Sequence, residues 1–302
     1  MKKKFLILCS ILVVIYLVLS LLDNGEYRFE KQMWRMAKNF YSISKDPKAV
    51  PDAQFEKVIA DYRAMIKKFP DSKYVPQVYS QIGMLYVMQK KYDDARKAYG
   101  EVVTGFSEDP VTVSKALMDI GNTYLFQERV KEAVDIYHRL WTDYGKTEVG
   151  FMMPLYIAGV YRSLNKDAMV QQYLERALVF YQGIARDEAS GHAMQLNAYQ
   201  SLATVYMAQQ KWEKAIESLK SCLYLFADSP TISPRRLAMI TRILNTIFIM
   251  QMKDFDRGIG FYEQFIADHP NHNLDKYIEK VIESLKYLKE RDLSASTQKS
   301  QS

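Results

Sequence analysis

The chain has 302 residues, 48% of them hydrophobic, with a net charge of +6, 12 Gly, 9 Pro and two cysteines. That apolar share excludes a disordered chain, the few Gly and Pro favour long helices over sheet turns, and two cysteines exclude a disulfide framework or a Cys-based metal site. Half of the positive excess sits in Lys2, Lys3 and Lys4, and both signs are interspersed along the rest, so the basic patch that nucleic acid requires is missing and no nucleic-acid partner is expected.

Those lysines precede Phe5 to Leu22, FLILCSILVVIYLVLSLL, eighteen residues without a charge. At about 1.5 Å per residue the run spans about 27 Å, close to a hydrocarbon core of about 30 Å. Residues 1–22 are therefore read as an uncleaved signal-anchor and transmembrane helix. A cleaved signal peptide is the rival reading: Val18-Leu19-Ser20 is a tolerable cleavage site, but the apolar run continues through Leu22 and no Ala-x-Ala appears. Lysines ahead of the span and mixed charge behind it place the N-terminus in the cytoplasm. The expectation is a single-pass protein of the inner (cytoplasmic) membrane whose remaining chain is extracytoplasmic, and periplasmic in a diderm bacterium.

From Tyr27 to Ser44, Phe29, Met33, Trp34, Met36, Ala37, Phe40 and Tyr41 fall at helical spacing, and the stripe is expected to pack on the next helix, with a bilayer as the other use for Trp34. Pro47 to Pro51 is a break. Phe55 to Phe69 is a second helix that ends in Phe69-Pro70-Asp71-Ser72-Lys73-Tyr74. In the next stretch, Tyr79, Ile82, Gly83 and Tyr86 mark one amphipathic segment and Tyr92, Ala95, Tyr99 and Val102 another. Asp109-Pro110 is a helix start, an N-cap followed by Pro at the first helical position. The pattern returns 38 residues on, in Leu117, Ile120, Gly121, Tyr124, Val130, Ala133, Tyr137 and Leu140.

A looser copy follows 37 residues later, in Leu155, Ile157, Ala158, Tyr161, Val170, Leu174 and Ala177. After a polar segment, Arg186 to Gly191, a clean copy appears at Tyr199, Leu202, Ala203, Tyr206, Trp212, Ala215, Leu219 and Cys222. Ser229-Pro230 and Ser233-Pro234 are a boundary. The last unit keeps Phe255, Gly258, Tyr262, Phe265 and Pro270, whereas Leu237 to Met252 matches only in apolar period. Leu274, Tyr277, Ile278, Val281, Ile282, Leu285 and Leu288 form a terminal amphipathic stripe opposite Lys276, Lys280, Lys286 and Glu290. Residues 293–302, rich in Ser, Gln and Thr, are expected to be disordered.

These aromatic, Leu-Gly, Tyr and Ala positions are those of the tetratricopeptide repeat, and the chain resembles that family. The FPDSKY exit is similar to that of extracytoplasmic members. The resemblance implies an all-α, right-handed α-solenoid of about five to six helix pairs over residues 23–292, with an N-terminal transmembrane helix and a C-terminal capping helix. Gly83 and Gly121 are expected to let paired helices close, Ala95, Ala133 and Ala215 to do the same from the opposite helix, and Tyr86, Tyr124, Tyr161 and Tyr206 to form a stacked series. In the family, first helices line a peptide-binding concave face. Mapped here, that face holds Gln77, Ser80, Met84, Lys115, Met118, Asn122, Leu125, Leu155, Arg162, Asn197, Gln200 and Thr204. In the places of the family's clamp for chaperone C-termini stand Ser80, Met84, Asp119, Met152 and Tyr156, which do not match it.

No Gly-rich phosphate loop, GxSxG elbow or HExxH occurs. The histidines are His138, His192, His269 and His272. Pro270 interrupts any helix that would align the last two as metal ligands. The expectation is therefore no catalytic residue, no metal and no cofactor. The sequence reads as a membrane-anchored scaffold or adaptor that binds peptide segments or proteins of the cell envelope. The alternative is a self-associating structural envelope protein, and a domain that binds metal or ligand through His269 and His272 is the third reading.

Overall fold

The turn inside each of five helix pairs carries a left-handed residue, and four of these turns close in the same way. Lys90, Glu128, Asn165, Gln210 and Lys253 all take left-handed φ values, between 54° and 60°, and none is glycine. In the first four turns the following N–H donates back across the helix end: Lys91 to the Tyr86 carbonyl, Arg129 to Tyr124, Lys166 to Tyr161 and Lys211 to Tyr206, at 2.8–3.0 Å. This six-to-one closure satisfies carbonyls that a helix end leaves orphaned. It ends the first helix of a pair and starts the second within about one turn.

The structure is a computed structural model that describes residues 13–14, 26–270 and 274–300. Among the described residues it holds thirteen α-helices and no strand. They pair as α1 (Glu26–Lys45) with α2 (Asp52–Lys68), α3 (Val75–Met88) with α4 (Tyr92–Gly105), and α5 (Pro110–Leu125) with α6 (Val130–Tyr144). Next come α7 (Glu148–Ser163) with α8 (Asp167–Arg186), α9 (Gly191–Ala208) with α10 (Trp212–Phe226), and α11 (Pro234–Thr246) with α12 (Phe255–Asp268). Helix α13 runs Asp275–Ser300. The chain divides between Met153 and Pro154 into two compact units.

In the first unit, one buried cluster joins Phe29, Met36 and Ile43 of α1, Val58 and Tyr62 of α2, Ile82 and Leu85 of α3, and Ala95 and Tyr99 of α4. Trp34 and Tyr41 do not belong to it: they are 79% and 71% exposed, and Ala37 is exposed as well. Phe29, Met36 and Ile43 recur every seven residues and form the buried side of α1, with Met33 and Phe40 packed beside them, which leaves Trp34 on the opposite side of the helix. At the start of α5, the Asp109 carboxylate accepts from the N–H groups of Val111 and Thr112 at 3.0 and 3.1 Å, the cap that its sequence signature called for.

The closeness of the helix pairs rests on glycine. A Cβ placed on Gly83 would stand 2.4 Å from Cε1 of Tyr99, and one on Gly121 would stand 2.3 Å from Cε1 of Tyr137. Both rings are buried, so they have little room to move aside. Ala95 and Ala133, in the same second helices, are fully buried.

The second unit is held by a cluster running from Leu196, Ala203, Ala215 and Leu219 through Leu237, Leu244 and Phe248 to Ile278, Ile282 and Leu285. Here Ile247–Met252 forms a π-helical turn, and its closing bond, Asp254 N–H to the Phe248 carbonyl, spans one residue more than the other four turns. Helix α13 buries Ile278, Val281, Ile282 and Leu285, with Leu274 buried just ahead of it, and exposes Lys276, Lys280, Lys286 and Glu290, as expected of a terminal helix. Its bounds run through Ser300, over the stretch for which the sequence led to the expectation of a disordered tail. Among the described residues no helix is long and apolar enough to cross a membrane. The candidate span Phe5 to Leu22 lies outside the described residues apart from Val13 and Val14.

Gly100 supplies an internal comparison, because a Cβ there meets nothing within 4 Å. Gly83→Ala and Gly121→Ala are each expected to cost about 1–3 kcal/mol by overpacking. Gly100→Ala is expected to stabilise by about 0.5–1 kcal/mol through helix entropy. Urea midpoints check this; equal shifts at Gly83 and Gly100 would contradict the packing.

Candidate partner-binding face

The twelve residues mapped to the first-helix face are all accessible or half-buried, and none is buried. In the first unit, Gln77, Met84 and Lys115 are exposed, while Ser80, Met118, Asn122 and Leu125 are half-buried, on α3 and α5. The opposite sides of these helices carry Val78, Ile82 and Leu85 and Val113, Ala116 and Leu117 into the core. In the second unit, Leu155, Asn197 and Gln200 are half-buried and Arg162 and Thr204 exposed. Three of the polar members already have partners. Asn122 Oδ1 accepts from the Tyr137 hydroxyl at 2.9 Å, Asn197 Oδ1 accepts from Arg236 at 2.5 Å, and the Thr204 hydroxyl donates to the Gln200 carbonyl at 3.0 Å. Asn122 and Asn197 thus help to hold the helices as well as lining their surface.

Two residues on this face escaped the sequence mapping as binding positions. Gln81 and Asp119 occupy the same place in successive repeats, 38 residues apart and each next to a mapped residue, Ser80 or Met118. Gln81 Oε1 is buried and has no hydrogen-bond partner among the described residues. Asp119 is half-buried and makes no hydrogen bond or ion pair among the described residues, and burial pushes its carboxyl up to about 6. Burial, and secondarily the Asp119 charge, raises the Tyr99 phenol well above its usual range. The face thus combines thioether and aliphatic surface, Met84, Met118 and Leu125, with two polar groups whose bonding capacity is unspent.

The packing residues divide by size. Ala95, Ala133 and Ala215 are fully buried, as is the Gly83 and Gly121 backbone they face in the template. The four tyrosines each rest on a separate partner instead of the expected common stack. Tyr86 accepts from Arg63 at 3.1 Å; Tyr124 lies between the guanidinium groups of Arg96 and Arg129, 4.3 and 4.8 Å from its ring. Tyr161 stacks on Tyr173 at 5.3 Å, and Tyr206 lies under the Lys214 ammonium at 5.8 Å. Arg96, unremarked in the sequence, also donates to Thr123 and Gln127 at 3.0 and 2.7 Å and so ties α4 to α5. At Tyr124 two planar cations take the place that a neighbouring ring would have in a common stack.

A cleft of about 440 Å³ lies elsewhere in the first unit, among α2, α3 and α4, with Arg63, Lys67, Asp94, Lys97 and Glu101 on its walls. Its charges are mixed, and Lys97 pairs with Asp94 at 3.0 Å. The histidines are taken up by neighbours: His138 stacks on Trp141 at 5.7 Å, His192 hydrogen-bonds Ser229 at 2.9 Å, and His269 packs on Phe265 and faces Asp228 at 3.5 Å. His272 lies outside the described residues. No group of three metal-ligating side chains occurs among the described residues. Burial raises the Cys222 thiol to about 12, which makes it a core residue and not a nucleophile.

The Asp119 shift carries a prediction. Its folded-state value exceeds the unfolded one, so its contribution favours the fold below about pH 4 and is lost as pH rises through about 6. Asp119→Asn is therefore expected to raise Tm at pH 7.5, with the gain shrinking toward zero as pH falls from 6 to 4. Thermal scans across that range check it; a gain independent of pH would contradict the burial of an unpaired carboxylate.

Tetratricopeptide-repeat family models match residues 77–108 and 115–147, and another such model matches 198–227. No curated protein matches the chain. Among solved structures, BtubC (BKLC) from P. vanneervenii is similar at 15% identity over 72% of this chain and 89% of that one, with a TM-score of 0.43. A tetratricopeptide repeat protein from Parabacteroides merdae is similar at 12% identity over 85% and 99%, with a TM-score of 0.35. The TPR2AB domain of yeast Sti1, solved in a complex with pHSP90, is similar at 14% identity over 83% and 98%, with a TM-score of 0.33. The matched stretches fall on the helix pairs α3–α4, α5–α6 and α9–α10, where tetratricopeptide repeats are thus detected, and the rest of the described chain is helical as well.

Proposed function

We propose that this chain is a membrane-anchored tetratricopeptide scaffold that binds peptide segments or proteins of the cell envelope and helps to assemble a complex there. Tetratricopeptide repeats imply a protein-binding scaffold or adaptor. The observation that carries the reading further is the α3–α5 face, where exposed Met84 and half-buried Met118 and Leu125 accompany the Gln81 Oε1 and the Asp119 carboxylate, both without a partner among the described residues. Adaptable apolar side chains with a few unspent polar groups suit an extended or helical peptide. His138, His269 and Cys222 are engaged in packing, which favours binding over catalysis. The anchor reading is supported by Lys2, Lys3 and Lys4 ahead of the uncharged run Phe5 to Leu22, and the same charge order supports the extracytoplasmic side.

Photo-cross-linking residues introduced at Met84 and Met118, with Lys97 as a control on α4, test the reading in intact membranes. Adducts with envelope proteins are expected at Met84 and Met118 in several-fold excess over Lys97. Adducts of the chain with itself at those two positions would favour the self-associating alternative, and equal yields at all three would remove the face.

A further inference from the structure

The outward side of α1 is unlike the end face of an ordinary repeat array. Tyr27, Trp34 and Tyr41 are 67%, 79% and 71% exposed, each seven residues from the next. At about 1.5 Å per residue they form a row about 21 Å long on one side of the helix, drifting only about 20° per step. Lys31, Lys38 and Lys45 follow each aromatic by four residues and share that side. The buried residues Phe29, Met36 and Ile43 lie on the opposite side. Isolated exposed aromatics need no explanation, but terminal repeats keep a polar outer face for solubility, and here three aromatics occupy its centre.

Charge narrows the choice of what covers them. Glu26 and Glu30 are drawn toward the 72–74 segment: Glu26 accepts from the Ser72 hydroxyl at 3.0 Å and the Lys73 N–H at 3.1 Å, and Glu30 accepts from the Tyr74 hydroxyl. Lys31, Arg35, Lys38 and Lys45 make no ion pair among the described residues, so the side carries unspent positive charge beside its aromatic row. Tyr and Trp rings with lysines whose stems reach past them are the residues of a membrane–water interface, where the rings sit at headgroup depth and the ammonium groups meet anionic lipid. Position agrees as well. The uncharged run ends at Leu22, and only Asp23, Asn24 and Gly25 separate it from Glu26, a reach of about 10 Å of extended chain.

We infer that α1 lies along the membrane surface with Tyr27, Trp34 and Tyr41 at the headgroup level and Lys31, Lys38 and Lys45 on anionic lipid, fixing the first unit against the bilayer. The inference draws its position from the anchor reading, and the measurement keeps the two apart. The full chain, with Trp141→Phe and Trp212→Phe so that Trp34 reports alone, is reconstituted in vesicles of phosphatidylcholine and phosphatidylglycerol containing lipid brominated near the headgroup. Expected are flotation with the vesicles, blue-shifted Trp34 emission and several-fold quenching by bromine. Quenching should fall at least two-fold in Lys31→Glu/Lys38→Glu/Lys45→Glu or in pure phosphatidylcholine, with flotation unchanged.

Flotation with water-exposed, unquenched Trp34 would leave the anchor standing and overturn the inference. Blue-shifted but unquenched emission would mean that protein, a second copy of this chain, covers the face, which also overturns it. A chain that neither floats nor is quenched overturns both readings. If the Trp replacements unfold the chain, a nitroxide on Tyr41→Cys in a Cys9→Ser background, with Cys222 buried, makes the same distinction. Collision with lipid-soluble oxygen supports the inference, and collision with a water-soluble nickel chelate overturns it.

Discussion

A tyrosine ring pressed against a glycine backbone sets the distance between paired helices in the first unit. At Gly83 with Tyr99 and Gly121 with Tyr137 the ring occupies the space of the missing side chain, so the two helices close on an aromatic filler instead of interleaved side chains. The two corresponding positions in the next full copies are Ala158 with Leu174 and Ala203 with Leu219, all buried. A small residue enlarges by one methyl group where its partner shrinks from an aromatic ring to a branched aliphatic, so the volume is conserved as the residues change. This exchange keeps the pairs similar while their sequences diverge, and it frees the outer positions of the first helices to vary.

Much of this order was legible in the residues. The period, the Gly and Ala positions and the Asp109-Pro110 helix start all rest on short-range rules, and each has its counterpart in the structure. The turns inside the repeats were not legible, because the left-handed positions hold Lys90, Glu128, Asn165, Gln210 and Lys253 and not the glycine that such a conformation favours. The helical bonds on either side hold them there. Leu237 to Met252 kept an apolar period without the template because a π-helical turn adds a residue before the closing bond. For α1, periodicity presents two parallel series seven residues apart, Phe29 with Met36 and Ile43, and Tyr27 with Trp34 and Tyr41. Only the packing of α2 decides which of them is core.

The candidate site was legible in part for the same reason. A template locates the outward positions of a first helix, and Met84 is exposed and Met118 and Leu125 half-buried there. It says nothing of bonding, so it could not distinguish Asn122 and Asn197, which hold neighbouring side chains, from Gln81 and Asp119, which have capacity left over. A buried acceptor and an unpaired carboxylate are costly to a fold that uses them only for packing, and a binding surface gives that cost a purpose. The aromatic and lysine row of α1 and the methionine face of α3 and α5 then divide the first unit's outer surface into one part suited to lipid and another suited to protein.

The ring-on-glycine contact is tested most directly by a double-mutant cycle between Gly83 and Tyr99. If the ring fills the space over the glycine, Gly83→Ala costs stability in the native background but little in a Tyr99→Leu background, leaving a coupling of about 1–3 kcal/mol in urea unfolding. Strictly additive costs in the two backgrounds would contradict the account, because the glycine would then be serving something other than the ring.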